Sequence, residues 1–246
     1  MSRKHREFLY HATIFAFFAY TDLTSITIPG HNNTYGGRYK FLTVLNLKLL
    51  ILYYGWSTVM DMTYIFWSGV SECSKVNRQK FRKNCLRRDY VFTSIVFPIS
   101  CTVCLLYWSI YAIKPSLIQS ETARKYSPVN GFHNHAIHTA PIVTTLLECF
   151  IKQHRLSISF WKGSVGWFLT CGAYLVWILW IAYAADLWVY PFMRVMSGMG
   201  KAMFFLFVFM FEALLYRVGI SITTRYWQVP KCEDEERTNQ KVKQVQ

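Results

Sequence analysis

Acidic residues are scarce in this chain. Thirteen Asp and Glu stand against 27 Lys and Arg, and charged residues of both signs make up only 16% of the 246 positions. Long charge-free stretches follow, so the apolar residues are not spread as in a soluble core. No G-x-S-x-G elbow occurs, which excludes a standard α/β-hydrolase. The first apolar run lacks a small-residue cleavage site, so it reads as a retained span and not as a cleavable signal peptide. No internal repeat is evident. Cysteines number seven, an odd count. Cys101-x-x-Cys104 has the spacing of a redox motif without the βαβ context. These two, Cys149 and Cys171 fall in apolar runs, where cysteine acts as a small apolar residue. Cys73, Cys85 and Cys232 fall in segments read as cytoplasmic, which argues against disulfides. Cys85 and Cys232 are palmitoylation candidates.

What is abundant is apolar: 53% of residues are hydrophobic and 18% aromatic. They cluster into six runs, about 9–28, 41–69, 90–113, 136–151, 165–190 and 200–222. Runs near 20 residues read as membrane helices, and they are too long for the ~10-residue strands of a membrane barrel. The predicted fold is therefore all-α, a polytopic membrane helical bundle of about six transmembrane helices. It occupies residues 1–229, and 230–246 form a charged, disordered cytoplasmic tail. The fourth run is short and the second long enough to tilt.

The net charge of +14 is informative through its distribution. With six spans and the N-terminus inside, 18 of the 27 basic residues fall in inner segments and seven in outer loops. This bias predicts both termini in the cytoplasm. The basic stretch 75–88 then reads as a topology and anionic-lipid signal, and no nucleic-acid partner is expected. An integral, multi-pass protein of the endomembrane system or plasma membrane is predicted, with the Asn32-Asn33-Thr34 sequon on the outer side.

Ionisable residues inside spans ask for a reason, because each costs roughly 2.5–3.5 kcal/mol at the bilayer centre on insertion scales. Lys48, Asp61, Glu148, Asp186, Glu212 and Arg217 qualify. Lys48 can snorkel. Asp61 and Glu148 lie near inner ends, and Glu212 with Arg217 suggests a structural pair. Two other residues gain from topology. Thr43 lies four residues past Tyr39, where span two enters from outside. His138 lies four past Asn134, where span four enters from outside. At 1.5 Å per residue both sit roughly 6 Å beyond those entry points, on the same membrane face.

A threonine hydroxyl needs a base to become a nucleophile, and histidine suits that role. The bland reading of Thr43 is a hydroxyl bonded to the preceding helical turn. Asn134 or backbone N–H groups would serve a developing oxyanion. Asp186 is the acid nearest the same face. His135 and His138, three apart, share a face and could hold zinc, but a third protein ligand is not evident. No metal or cofactor is expected.

The order of short motifs resembles a known family. Thr34-Tyr35-Gly36-Gly37 followed by Lys40-Phe41-Leu42-Thr43 is similar to the entry to span two in the androgen-induced and androgen-dependent TFPI-regulating proteins. Arg88-Asp89, Phe97-Pro98, Trp108 with Tyr111-Ala112, Asn134-His135-x-x-His138-Thr139 and Trp188-Val189-Tyr190-Pro191-Phe192 follow in matching order. The resemblance covers most of residues 10–225. It implies a multi-pass threonine hydrolase acting on fatty-acid esters of hydroxy fatty acids, a lipid ester substrate. The nucleophile matches Thr43 and the catalytic histidine His138, with Asn134, His135 and Asp186 as supporting residues. The charged tail, the sequon and Lys48 depart from the family pattern. The competing reading is a non-enzymatic lipid or solute carrier, or a regulatory scaffold.

Overall fold

The computed structural model describes residues 2–25, 34–68, 75–118, 131–154 and 160–227. The Asn32 sequon, Cys73, Cys232 and the 230–246 tail lie outside the described residues. The helices are α1 (Arg3–Ser25), α2 (Leu42–Ser68), α3 (Lys75–Val91), α4 (Phe97–Ile113), α5 (Phe132–His138), α6 (Ala140–Ile151), α7 (Phe160–Ala185), α8 (Pro191–Val195) and α9 (Gly198–Trp227). Among the described residues there is no strand. The protein is a helical membrane bundle.

Four segments are long and apolar enough to cross a membrane on their own: Leu42–Trp67, Gln79–Ile113, Phe160–Ala185 and Gly198–Trp227. Three of them turn apolar side chains outward, as Leu52, Val59, Phe66, Val176 and Met210 do, whereas Gln79–Ile113 is largely buried in the bundle. That is the pattern of helices facing lipid rather than water. The other two expected spans differ. The fourth is split into α5 and α6, because Pro141 has no N–H to return to Ile137 and the backbone breaks at Thr139 (φ −124°, ψ −47°). The first, α1, exposes Leu9, Phe15, Tyr20 and Leu23 but turns polar residues inward: Glu7, His11, Thr21 and Asp22 face the bundle.

Proline also shapes the third span. Pro98 cannot donate to Ser94, and the chain takes a π turn over Phe92–Val96, in which the Phe97 N–H reaches back to Phe92. The turn packs on α7 at Gly166, where an added Cβ would meet Ser94 at 2.9 Å.

The two ends of the bundle differ in character. One end is ionic. His11 of α1 presents Nδ1 to Asp61 of α2 (2.6 Å) and Nε2 to Glu148 of α6 (2.9 Å). Tyr53 donates to Glu148 (2.8 Å) and Arg88 to Asp61 (3.2 Å). His154 faces Asp89 (3.2 Å) and stacks on Phe92 at 4.2 Å. Lys152 lies 3.6 Å from Glu7. Burial opposes ionisation of Glu7, but Lys152 and Lys4 outweigh it and hold the carboxyl below the ordinary range. Asp61 and Glu148 are thus fully buried members of a network that ties α1, α2, α3 and α6 together.

Helices also approach closely where α9 crosses α4. A Cβ on Gly219 would lie 2.6 Å from the buried ring of Phe97, whereas Gly172 faces open space. Gly219→Val should therefore cost about 1–3 kcal/mol through overpacking, and Gly172→Ala should cost nothing. Thermal unfolding in detergent checks this; equal melting temperatures for the two variants would contradict the packing.

Candidate functional site

The end opposite the ionic network holds a cavity of about 330 Å³ with mostly apolar walls. Thr43, Asn134 and His138 all line it. The walls come from α2, α4, α5, α7, α8 and α9.

Thr43 is the second residue of α2. Gly36 and Gly37, at φ 78° and 51°, turn the chain into a short 3-10 turn, Gly37–Lys40, before the helix begins. The new helix end is pinned from outside. The Leu42 N–H donates to the hydroxyls of Tyr174 (3.2 Å) and Tyr190 (3.3 Å), which also bond each other (3.0 Å). Tyr174 donates to the Lys40 carbonyl and Trp177 to that of Tyr39. The next N–H, that of Thr43, has no hydrogen-bond partner among the described residues, and neither has its hydroxyl. Most helical threonines here differ from Thr43. Thr21, Thr58, Thr93, Thr144, Thr145, Thr170 and Thr224 each donate to the carbonyl four residues before. At the start of α2 the carbonyl four residues back, that of Tyr39, lies in the 3-10 turn and already accepts from Trp177. The Thr43 hydroxyl is left available to the cavity.

His138 is held by stacking. Its ring lies parallel to Tyr107 (3.5 Å between centroids, 9° between planes). Tyr107 is itself fixed by donating to Asn134 (2.8 Å), and Trp108 donates to the His138 carbonyl (3.0 Å). Nδ1 of His138 is buried without a partner, which leaves Nε2 as the nitrogen able to meet a ligand.

The other two expected supporting residues are not in the cavity. His135 is exposed; its ring stacks on Trp108 (5.4 Å) and its Nδ1 meets the Thr139 hydroxyl (3.1 Å). Three residues of helix rotate by about 300°, so the pair is about 60° apart. That is enough to send one ring inward and the other out. No group of three or more His, Cys, Asp or Glu among the described residues converges as a metal site would require. Asp186 is also exposed. It adopts φ 48° directly after α7 ends at Ala185, so the helix stops five residues before the expected end of span five at 190. The chain then turns back to bring Val189, Tyr190 and Phe192 over the cavity.

Two further expectations are corrected. Lys48 does not snorkel freely; it pairs with Asp22 of α1, which also receives Arg38 (2.8 Å). Glu212 and Arg217 do not pair. Five helical residues place them about 140° apart, and Arg217 lies over the Phe160 ring at 5.2 Å. Of the tyrosines that set the site's geometry, Tyr190 stands in one of the short motifs, and Tyr107 and Tyr174 carried no sequence signal.

The pattern of residues extends beyond this chain. The family model described as FAR-17a/AIG1-like protein matches residues 6–224. The chain belongs to that family. Among curated relatives it is 25% identical over 221 residues to the androgen-induced gene 1 protein of Homo sapiens, covering 89% of each chain. It is 30% identical over 199 residues to the human androgen-dependent TFPI-regulating protein, covering 78% of each. A Schizosaccharomyces pombe relative named as a membrane protein is 22% identical over 172 residues, 70% of this chain and 69% of that one. No solved structure matches. This member of the family is a helical membrane bundle, and its cavity is the part that asks for chemistry.

Proposed function

We propose that the protein is a membrane lipid esterase with Thr43 as nucleophile and His138 as general base. The observation that carries the reading is the unbonded Thr43 hydroxyl in the same apolar cavity as the His138 ring. The acyl chain lies between the helices and the ester carbonyl reaches Thr43. Thr43 Oγ1 attacks the carbonyl carbon while His138 Nε2 takes its proton. The negative charge on the carbonyl oxygen forms near the first turn of α2, where the helix dipole and the unpaired Thr43 N–H favour it. Collapse of this intermediate breaks the bond to the alcohol, which leaves with the proton from His138. Water, activated by the same imidazole, then releases the acid from Thr43. Among the described residues no carboxylate orients the histidine; stacking on Tyr107 does that work. The substrate class in this proposal, fatty-acid esters of hydroxy fatty acids, is taken from the family resemblance.

The test is covalent labelling. A lipophilic fluorophosphonate probe should modify the purified protein once, with the adduct mapped to Thr43 by peptide mass spectrometry. Absence of labelling, or an adduct elsewhere, would favour the carrier or scaffold reading.

A further inference from the structure

Glu212 is a buried carboxyl that the proposed reaction does not use. Only 1% of it is exposed, on α9 in the middle of the bundle. Its polar neighbours are Thr102 of α4 and Cys171 of α7, and all three line the cavity. Yet Glu212 Oε2 and Thr102 Oγ1 are both buried without a hydrogen bond of ordinary geometry. Leaving such groups unpaired inside hydrocarbon is costly, and a wall that needed only to be greasy would carry neither.

Depth separates this spot from the reaction centre. Glu212 lies 14 residues into α9 from Gly198, and Cys171 lies 14 residues from the end of α7 at Ala185. Each distance is roughly 21 Å of helix, whereas Thr43 is a single residue into α2. Cavity space therefore runs on the order of 15–20 Å from the ester position to a polar floor.

We propose that this floor is a second subsite that binds a neutral hydroxyl carried far along the acyl chain, the hydroxyl donating to Glu212 Oε2 and accepting from Thr102. The inference rests on the lipid-ester reading for the chemistry at the mouth, and adds the class of chain: one oxygenated at a distance from the ester.

Two arms of one experiment test it. In the first, Thr43→Val protein, which cannot turn over, is titrated in nanodiscs with the methyl ester of an unsubstituted long-chain fatty acid and with that of its terminally hydroxylated counterpart. The hydroxylated ester should bind about 3–10-fold more tightly, the worth of one net hydrogen bond. Glu212→Leu in this background should erase the difference. Glu212→Gln, whose amide oxygen still accepts, should keep part of it, and Thr102→Val should reduce it from the other side. Equal binding of the two esters, or a preference that survives Glu212→Leu, overturns the subsite. In the second arm, protein with Thr43 intact is assayed for hydrolysis of both esters. Hydrolysis without any binding preference removes the subsite and leaves the esterase. A Glu212-dependent preference without hydrolysis of either ester keeps the subsite and removes the esterase.

Discussion

Thr43→Val should abolish ester hydrolysis while leaving a folded, membrane-inserted protein. The substitution keeps the branched shape and removes only the oxygen. Because the Thr43 hydroxyl bonds nothing among the described residues, its loss should change stability by no more than about 0.5 kcal/mol. Losing a nucleophile should instead lower kcat by roughly 10³-fold or more. Thr43→Ala should be equally inactive. Thr43→Ser keeps a hydroxyl but loses the methyl that restricts χ1, so it should retain partial activity. The expected order is wild type, then Ser, with Val and Ala at background. The measurement is turnover of a fatty-acid ester of a hydroxy fatty acid by protein matched for expression and insertion. Substantial hydrolysis by the Val variant would make Thr43 a helix-entry residue and leave the cavity without a nucleophile.

His138→Ala should lower the same turnover by about 10²–10⁴-fold. Alanine also leaves a gap against Tyr107, so His138→Phe is the informative companion. It keeps a flat ring at the stacking position and removes the base. Both variants should be inactive, and the Phe variant should melt close to wild type. His135→Ala should lose far less, because that ring lies outside the cavity on Trp108. An inactive His135→Ala beside an active His138→Phe would reverse the assignment. Loss of a stoichiometric bound metal in both histidine variants would replace the dyad with a zinc centre.

Much of this site was legible in the sequence because topology is a strong constraint. Six apolar runs fix the order of ends, and alternating ends bring Thr43 and His138 to one side without any knowledge of packing. The all-helical fold followed from run length alone. What sequence could not supply was rotation about each helix. His135 and His138 are near in sequence but diverge across the surface of α5. Glu212 and Arg217 look like partners in print, and 3.6 residues per turn keeps them apart. Asp186 failed for another reason: one residue of left-handed backbone ends α7 early and carries the acid outward. The ionic end was the largest omission. His11, Arg88, Asp89 and His154 sat at or beyond the edges of the expected spans, where charge reads as ordinary solvated surface.

That ionic end bears on how the protein is made. α1 is not among the helices apolar enough to hold a bilayer by themselves. The side chains it buries find their counterparts on segments synthesised later: His11 meets Asp61 and Glu148, and Asp22 meets Arg38 and Lys48. In hydrocarbon these groups are tolerable only with those counterparts beside them. α1 is thus secure only after those later segments have followed it, and its membrane integration is a step of tertiary assembly and not of partitioning.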